Sequence, residues 1–399
     1  MSSQNPSSTP TNSQGPQWSE FIALNNPCLL ESQEGNNFQS KDFIQSFRSF
    51  HDLDLYLIEN LELFENEDLG VSFLKTYETD VYINLYKSME KKEKHLEIDK
   101  ITKQEAFSIK QDKKEEFIKA VKKCQEYIKE GDIYQANIAQ KFQVSGHESL
   151  NKDELKSFVY QRLRELNPAE YQAYAEFEDW LVFSSSPESL LKINPEKAGF
   201  KLTSSPIKGT VFLNQSTEEL KNEKETAEHI MIVDLIRNDL SQVAQKGTVN
   251  VEDILIEKSY VNLKHLVSNI SCILKKDITK EFGKIISPDF KAILKAIFPG
   301  GSITGTPKIR AMQVIHELEN KPRELFCGSL GYYKFNQQIG EINILIRSIF
   351  YNKKTKELSF STGAGITALS EPEAEYQETL LKAQKLFSVF NGEVFSDDN

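Results

Sequence analysis

The sequence predicts an α+β fold, on three observations. Runs of strand pattern follow one another with helices set between them, without the regular strand–helix–strand beat of a doubly wound sheet. No internal repeat shows along the 399 residues. The 39% hydrophobic content suffices for one large core or two interlocked ones.

Each element follows from its own pattern. Residues 1–17, MSSQNPSSTPTNSQGPQ, are rich in Ser, Pro, Asn and Gln and lack an apolar core, so they read as a disordered tail and not as a signal peptide. Residues 18–108 mix short apolar runs with acidic patches such as ENLELFENEDLG and make a divergent N-terminal region. From Gln111 the signal sharpens. QDKKEEFIKAVKKCQEYIKEGD predicts a helix with Phe117, Val121, Cys124 and Ile128 on one stripe, closed by Gly131. IYQANIAQKFQVS predicts a strand whose alternation puts Gln135 and Asn137 on one face, opposite Tyr134, Ala136 and Ile138.

ELKSFVYQRLREL predicts a helix, YQAYAEFEDWLVFSSSPESLLKI a strand pair with a turn, and FKLTSSPIKGTV a strand ending in a glycine turn. TEELKNEKETAEHIMIVDLIRNDLSQVA predicts one long helix, and YVNLKHLVSNISCILKK a strand followed by another helix. QQIGEINILIRSIFYNKKTKELSFSTGAGIT predicts a hairpin, and EPEAEYQETLLKAQKLFSVF the last helix. Residues 109–392 thus form the main unit, with 393–399 a flexible end.

Bulk properties exclude some functions. A net charge of −11 and a pI near 5.3, with no basic tract, argue against a nucleic-acid partner. No apolar stretch is long enough to span a bilayer. Cys28, Cys124, Cys272 and Cys327 stand far apart without metal or redox spacing, as thiols in a reducing compartment do. The chain reads as soluble and cytoplasmic.

The stretch FPGGSITGTPKIRAM, Phe298 to Met312, has the glycines of a phosphate loop but not its chemistry. Counting from Gly300 to Gly305, a Walker loop would continue with Lys and Ser/Thr, whereas here Thr306 and Pro307 follow. The stretch reads as a loop with Thr306 as N-cap and Pro307 in the first turn. An amphipathic helix follows, with Ile309, Met312, Val314, Ile315 and Leu318 inward. Its N-terminus suits a small anion, including a carboxylate.

Chemistry-bearing residues are sparse. Glu225 and Glu228 on the long helix, and Glu375 and Glu378 on the last, are i,i+3 pairs that point from one face of each helix. Either pair alone suits a solvated surface. Together, on helices whose other faces are apolar, they suit a hard divalent cation such as Mg²⁺. Arg347 lies in the apolar run INILIRSIF, where a guanidinium needs either a carboxylate ligand or a structural ion pair. His265 sits at alternate spacing to Leu263 and Val267, as a core histidine would. Lys208 in PIKGT is either an exposed turn lysine or, buried with a lowered pKa, a nucleophile.

Taken in order, GDIYQANIAQ, SSSPESLL, PIKGT, EKETAEHIMIVDLIRNDL, FPGGSITGTPKIRAM, CGSLGY, ILIRS and STGAGI with EAEYQET resemble the chorismate-utilising enzymes. That family includes anthranilate synthase component I, aminodeoxychorismate synthase component I, isochorismate synthase and salicylate synthase. The resemblance covers about Lys110 to Phe390. The N-terminal quarter matches weakly apart from CLLES, Leu29–Ser32, which resembles a strand lining a tryptophan pocket and makes Ser32 a candidate pocket residue. The resemblance implies two interlocked lobes with stacked antiparallel sheets and a site in the cleft between them.

It also implies Mg²⁺-dependent chemistry on chorismate, a cyclohexadiene with a ring carboxylate and an enolpyruvyl carboxylate. By resemblance, Glu228 and Glu378 ligate the metal, supported by Glu225 and Glu375. Arg347, the backbone near Gly365 and Lys382 hold the enolpyruvyl group, His265 lies near the leaving hydroxyl, and Ser302 contacts substrate.

Two positions sort the branches of the family. Enzymes that add water carry a lysine base at the position of Gln135, and a neutral amide cannot deprotonate water, so ammonia is the expected nucleophile. Anthranilate synthases usually read PIAGT where this chain reads PIKGT. The lysine of aminodeoxychorismate synthases attacks ring C2 and expels the C4 hydroxyl, so the resemblance assigns that role to Lys208, with Glu188 as general acid/base. Phe326 departs from the Tyr of anthranilate synthases. The expected activity is therefore amination of chorismate to 4-amino-4-deoxychorismate, toward p-aminobenzoate and folate. The alternatives are anthranilate synthesis or, less consistent with the intact motifs, a silent regulatory paralogue that binds chorismate or tryptophan. No glutamine-hydrolysing motif is present, so a separate class I glutamine amidotransferase subunit is expected to supply ammonia.

Overall fold

Strand pairing runs in one unbroken order through the molecule, and that order places the cleft. The computed structural model describes residues 28–32, 37–65, 68–92, 107–212, 216, 223–259, 263–390 and 393–395. In its first half, β13 (Leu263–Ile273) pairs with β10 (Gly199–Ser205), β10 with β9 (Ser189–Glu196), and β9 with β18 (Ile339–Asn343). Next come β17 (Ser329–Lys334), β3 (Gly70–Lys75), β4 (Val81–Lys92) and β2 (Asn37–Phe47). Strands β11 (Ile207–Phe212) and β12 (Asn250–Ser259) also pair with β13.

The short strand β1 (Cys28–Ser32) then joins β2 to β7 (Tyr171–Glu176). The second half continues with β8 (Trp180–Ser186), β19 (Ser348–Asn352), β20 (Glu357–Ile366), β6 (Gln135–Ser145) and β5 (Ser108–Gln111). These ladders are antiparallel, as the predicted α+β class requires. The exception is β21 (Glu393–Phe395), which pairs parallel with β5, so part of the expected flexible end is a strand. A hairpin of β14 (Thr279–Phe282) and β15 (Ile285–Pro288) stands apart, and β16 (Gly305–Thr306) adds to β6.

Helices cover the sheet faces because each has an apolar stripe to bury. The first core packs Phe73, Leu191 and Ile270 of the sheet against Leu53 of α1 (Phe50–Glu59), with Ile236 and Leu240 coming from the long helix. A second joins Phe142, Phe183 and Phe360 to Val159 of α3 (Lys152–Leu166). The third packs Ala136, Ile138 and Ile366 against Val121 and Cys124 of α2 (Lys114–Lys129). Fully burying each such Phe, Leu or Ile contributes about 2 kcal/mol. Cys124, Cys272 and Cys327 are free buried thiols, each held well above the ordinary range by burial, while the side chain of Cys28 lies outside the described residues. Among the described residues no helix is long and apolar enough to cross a membrane.

Several expectations shift. Residues 37–92, expected to be irregular, supply α1, β2, β3 and β4. The expected strand pair around SSSPESLL is three strands, β7, β8 and β9. Pro206 splits the FKLTSSPIKGTV strand into β10 and β11, since it offers no N–H to the ladder. Gly209, expected to turn the chain, instead sits at φ +65° within β11, where the register with β13 slips between Lys208 and Thr210. The INILIRSIF run breaks into β18 and β19, with Arg347 between them at φ +53°. The helix after the glycine loop, α6, spans Lys308–Glu319 with Pro307 as N-cap and no side-chain cap, so Thr306 belongs to β16. Ile309, expected inward, is 76% exposed, because α6 turns Ala311, Val314 and Ile315 into the third core and Ile309 lies on the opposite face.

Candidate active site

A cleft of about 660 Å³ opens where β6, β11 and β20 meet two helices, α4 (Glu223–Val243) and α7 (Pro372–Phe390). From β6 it takes Gln135 and Asn137, the face that strand alternation selects, while Ala136 and Ile138 turn into the third core. Tyr134 joins neither and is 70% exposed.

The carboxylates come from the two helices. Glu228 of α4 and both Glu375 and Glu378 of α7 line the cleft. Helical spacing sends Tyr376, Thr379 and Ala383 the other way, into packing, and so aims the acidic face at the cavity. The Gln135 amide donates from Nε2 to Glu228 Oε1 at 2.9 Å. Lys382 pairs with Glu378 Oε1 at 2.7 Å and donates to the Gly363 carbonyl at 3.0 Å. Hard oxygen donors on two helices fit a divalent cation in chemistry, although among the described residues no three acidic, imidazole or thiol groups converge as a ready-made cage. The side chain of Glu225 lies outside the described residues.

Arg347 enters from the break between β18 and β19. Its left-handed backbone interrupts the sheet and lets the side chain line the cleft. Burial lowers its pKa, and among the described residues nothing accepts a hydrogen bond from its guanidinium. A half-buried planar fork facing a cavity has the geometry to take a carboxylate in two contacts.

Glu188 follows β8 and is held at its backbone: its N–H donates to Ser186 Oγ at 3.2 Å, and its carbonyl accepts from Ile344 N–H at 3.1 Å. Burial pushes its carboxyl up to about 7, with the Ser302 hydroxyl opposing the shift. A carboxyl in that range can exchange a proton near neutrality.

The glycine loop is a packed wall. Asn137 Nδ2 donates to Ser302 O at 3.0 Å and Asn137 N–H to Thr304 O at 2.8 Å, which fastens the loop to β6. Gly305 sits at φ +157°, and a Cβ there would lie 2.1 Å from the Gln135 carbonyl, so the chain approaches β6 more closely than any side chain permits. Behind the loop, Lys308 donates to Asp239 at 2.5 Å and to the Ile297 carbonyl at 3.1 Å. Burial raises Asp239 to about 6 despite that lysine.

Arg323, which no sequence signal marked, closes the floor. It donates to the Ile303 carbonyl at 3.2 Å and the Asn137 carbonyl at 2.7 Å, joining loop and strand.

Of the expected set, Gln135, Glu188, Glu228 and Ser302 line one cavity, together with Arg347, Gly365, Glu375, Glu378 and Lys382. His265 is not among its lining residues. It is buried on β13 with Nδ1 3.4 Å from the Gly209 carbonyl, so it backs the wall that Gly209 presents, and burial lowers its pKa. Lys208 is in β11 opposite Leu266, between cleft-lining Ile207 and Gly209, and its side chain lies outside the described residues. The same holds for Ser32, whose backbone pairs with Tyr171.

The chorismate binding enzyme family model matches residues 28–388. Anthranilate synthase component 1 of Aquifex aeolicus is 38% identical over 281 residues, 68% of this chain and 52% of its own length. Aminodeoxychorismate synthase component 1 of Bacillus subtilis is 36% identical over 275 residues, 67% of this chain and 54% of its own. The chain thus spans about half the length of these curated relatives. The crystal structure of anthranilate synthase component I from Streptococcus pneumoniae superposes with a TM-score of 0.67 at 24% identity, covering 90% of each chain, and shares the fold.

Proposed function

The chain belongs to the chorismate binding enzyme family, and within it we propose that this protein is a component I of aminodeoxychorismate synthase type, aminating chorismate with ammonia to 4-amino-4-deoxychorismate. The observation that carries the reading is the pairing of a neutral amide, Gln135, with PIKGT, whose Ile207 and Gly209 line the same cleft. An amide cannot take a proton from water, so a nucleophile that needs no activation is favoured.

In this reading Arg347 binds one substrate carboxylate in a fork, and Lys382 assists. The neutral amine of Lys208 forms a bond to ring C2 while protonated Glu188 gives its proton to the departing C4 hydroxyl, which leaves as water, and the proton shed by the bonded amine returns to Glu188. Ammonia then forms its bond at C4 and passes a proton to the Lys208 nitrogen as the C2 bond breaks, returning the neutral amine. Magnesium, held by Glu228, Glu375, Glu378 and Glu225, would supply positive charge for the ring carboxylate. His265 steadies the wall behind Gly209. A separate glutamine amidotransferase subunit supplies ammonia in a cytoplasmic enzyme, and the component numbering of the Bacillus subtilis relative supports a second chain.

A second reading is anthranilate synthase component I, favoured by the 38% identity to the Aquifex aeolicus protein and by the LLES segment in β1. Incubating the purified chain with chorismate, ammonium chloride and Mg²⁺ separates the two. A product with the mass and absorbance of aminodeoxychorismate is expected, and fluorescent anthranilate would overturn the proposal.

A further inference from the structure

We infer that Ser186 is a positioning residue that sets Glu188 and Arg347 against one another, its hydroxyl closing a ring of hydrogen bonds where the two halves of the sheet meet. The inference rests on the reading of Glu188 as the acid and Arg347 as the carboxylate fork.

The chain passes between the two halves directly from β8 to β9 and again from β18 to β19. These crossings run side by side. Ladder pairing of β8 with β19 ends at Ser184 opposite Ser348, and pairing of β9 with β18 ends at Ser189 opposite Asn343. Between those pairs, residues 185–188 face residues 344–347 without a regular ladder. Glu188 stands in one interruption and Arg347 in the other, and both line the cleft.

Buried backbone groups left out of a ladder need other partners. Ser186, itself fully buried, supplies them. Its hydroxyl accepts the Glu188 N–H at 3.2 Å and donates to the Ile344 carbonyl at 2.6 Å, while the Ile344 N–H donates to the Glu188 carbonyl at 3.1 Å. The polar backbone groups of Glu188 and Ile344 thus close one ring through a single side chain. The Ile344 carbonyl also accepts the Ile346 N–H at 2.8 Å, which starts the turn that presents Arg347 at φ +53°. Beyond it the Arg347 carbonyl accepts the Ser185 N–H at 3.3 Å, and Ser348 Oγ lies 3.0 Å from Ser184 Oγ. A displacement of either crossing therefore moves the other. Ser186→Ala would strand a buried N–H at Glu188 and take one of its donors from the Ile344 carbonyl.

The test is steady-state consumption of chorismate with ammonium and Mg²⁺. Ser186→Ala is expected to lower kcat about tenfold and to raise the KM for chorismate about fivefold. Ser72→Ala is the control: it removes a buried hydroxyl that lies 3.2 Å from Tyr86 Oη and lines no part of the cleft, and it should leave both constants within about twofold. Thermal unfolding compares the stability of the two variants. Ser186→Cys, close in volume but a weaker donor, should shift both constants in the same direction by less, and serves if Ser186→Ala does not fold. In an Arg347→Met background Ser186→Ala should still lower kcat but raise KM no further, because the fork it positions is gone, whereas a general loss of structure would act alike in both backgrounds. If Ser186→Ala behaves as Ser72→Ala while Glu188→Gln and Arg347→Met impair turnover and binding, the inference is overturned and the underlying reading stands. If Glu188→Gln and Arg347→Met leave kcat and KM unchanged, that reading falls, and the inference falls with it.

Discussion

Arg323 and Glu319 form a two-pronged ion pair sealed beneath the cleft, Nε to Oε2 at 2.8 Å and Nη2 to Oε1 at 2.6 Å. Both side chains are buried, and Glu319 Oε1 also accepts the Ala139 N–H at 2.9 Å. Tyr77 and Phe326 lie beside the guanidinium, with ring centroids 4.7 Å and 5.7 Å away. Removing one partner leaves a buried charge uncompensated. Arg323→Met should therefore destabilise the protein by about 3–5 kcal/mol, measured by urea unfolding. Arg323→Lys should recover only part of this, because a point charge cannot reach both carbonyls and the carboxylate at once.

Glu188 gives a pH dependence of known sign. Its folded pKa of about 7 lies above the ordinary glutamate value of 4.5, so the folded state binds the extra proton between those limits. The stability it contributes is highest below pH 4.5 and declines as pH rises toward 7. Glu188→Gln should remove this decline and raise the melting temperature relative to the unaltered protein at pH 8. Amination, which uses the protonated acid, should fall as pH passes about 7 and should be lost in Glu188→Gln at every pH.

Arg347 trades stability for binding. Its guanidinium loses hydration without gaining a protein acceptor among the described residues, so Arg347→Met should stabilise the substrate-free protein by about 1 kcal/mol. The same change should raise the KM for chorismate at least tenfold, and Arg347→Lys should also raise it, since the fork is lost while the charge remains. Melting curves and steady-state kinetics check the two halves separately.

Lys208→Ala should abolish amination at C4 while leaving chorismate binding, followed by calorimetry, within a few-fold of the unaltered protein. An unchanged turnover rate would exclude a covalent role for this lysine.

What the sequence discloses is what repeats locally. The alternation of Gln135 and Asn137 against Ala136 and Ile138 is a period of two over a few residues, and it placed the cleft face correctly. The spacing of Glu375 and Glu378 works the same way on α7, whose acidic face lines the same cleft as Glu228. Arg347 was harder: an unbroken apolar run reads as one strand, and nothing in INILIRSIF announces the left-handed residue that divides it. Arg323 was invisible because its partners include backbone carbonyls of Ile303 and Asn137, groups that every residue carries. His265 shows the remaining limit. Alternation shows its place in a strand, but its closeness to the Gly209 carbonyl and to the Arg347 charge joins segments far apart in the chain.

The strand order has a consequence for how the chain is made. β3 waits for β17, whose first residue is Ser329, and β8 waits for β19, which begins at Ser348. A nascent chain emerging from the ribosome must therefore carry bare sheet edges until most of it has been synthesised. Slow assembly and a need for chaperone shelter during translation follow from that delay.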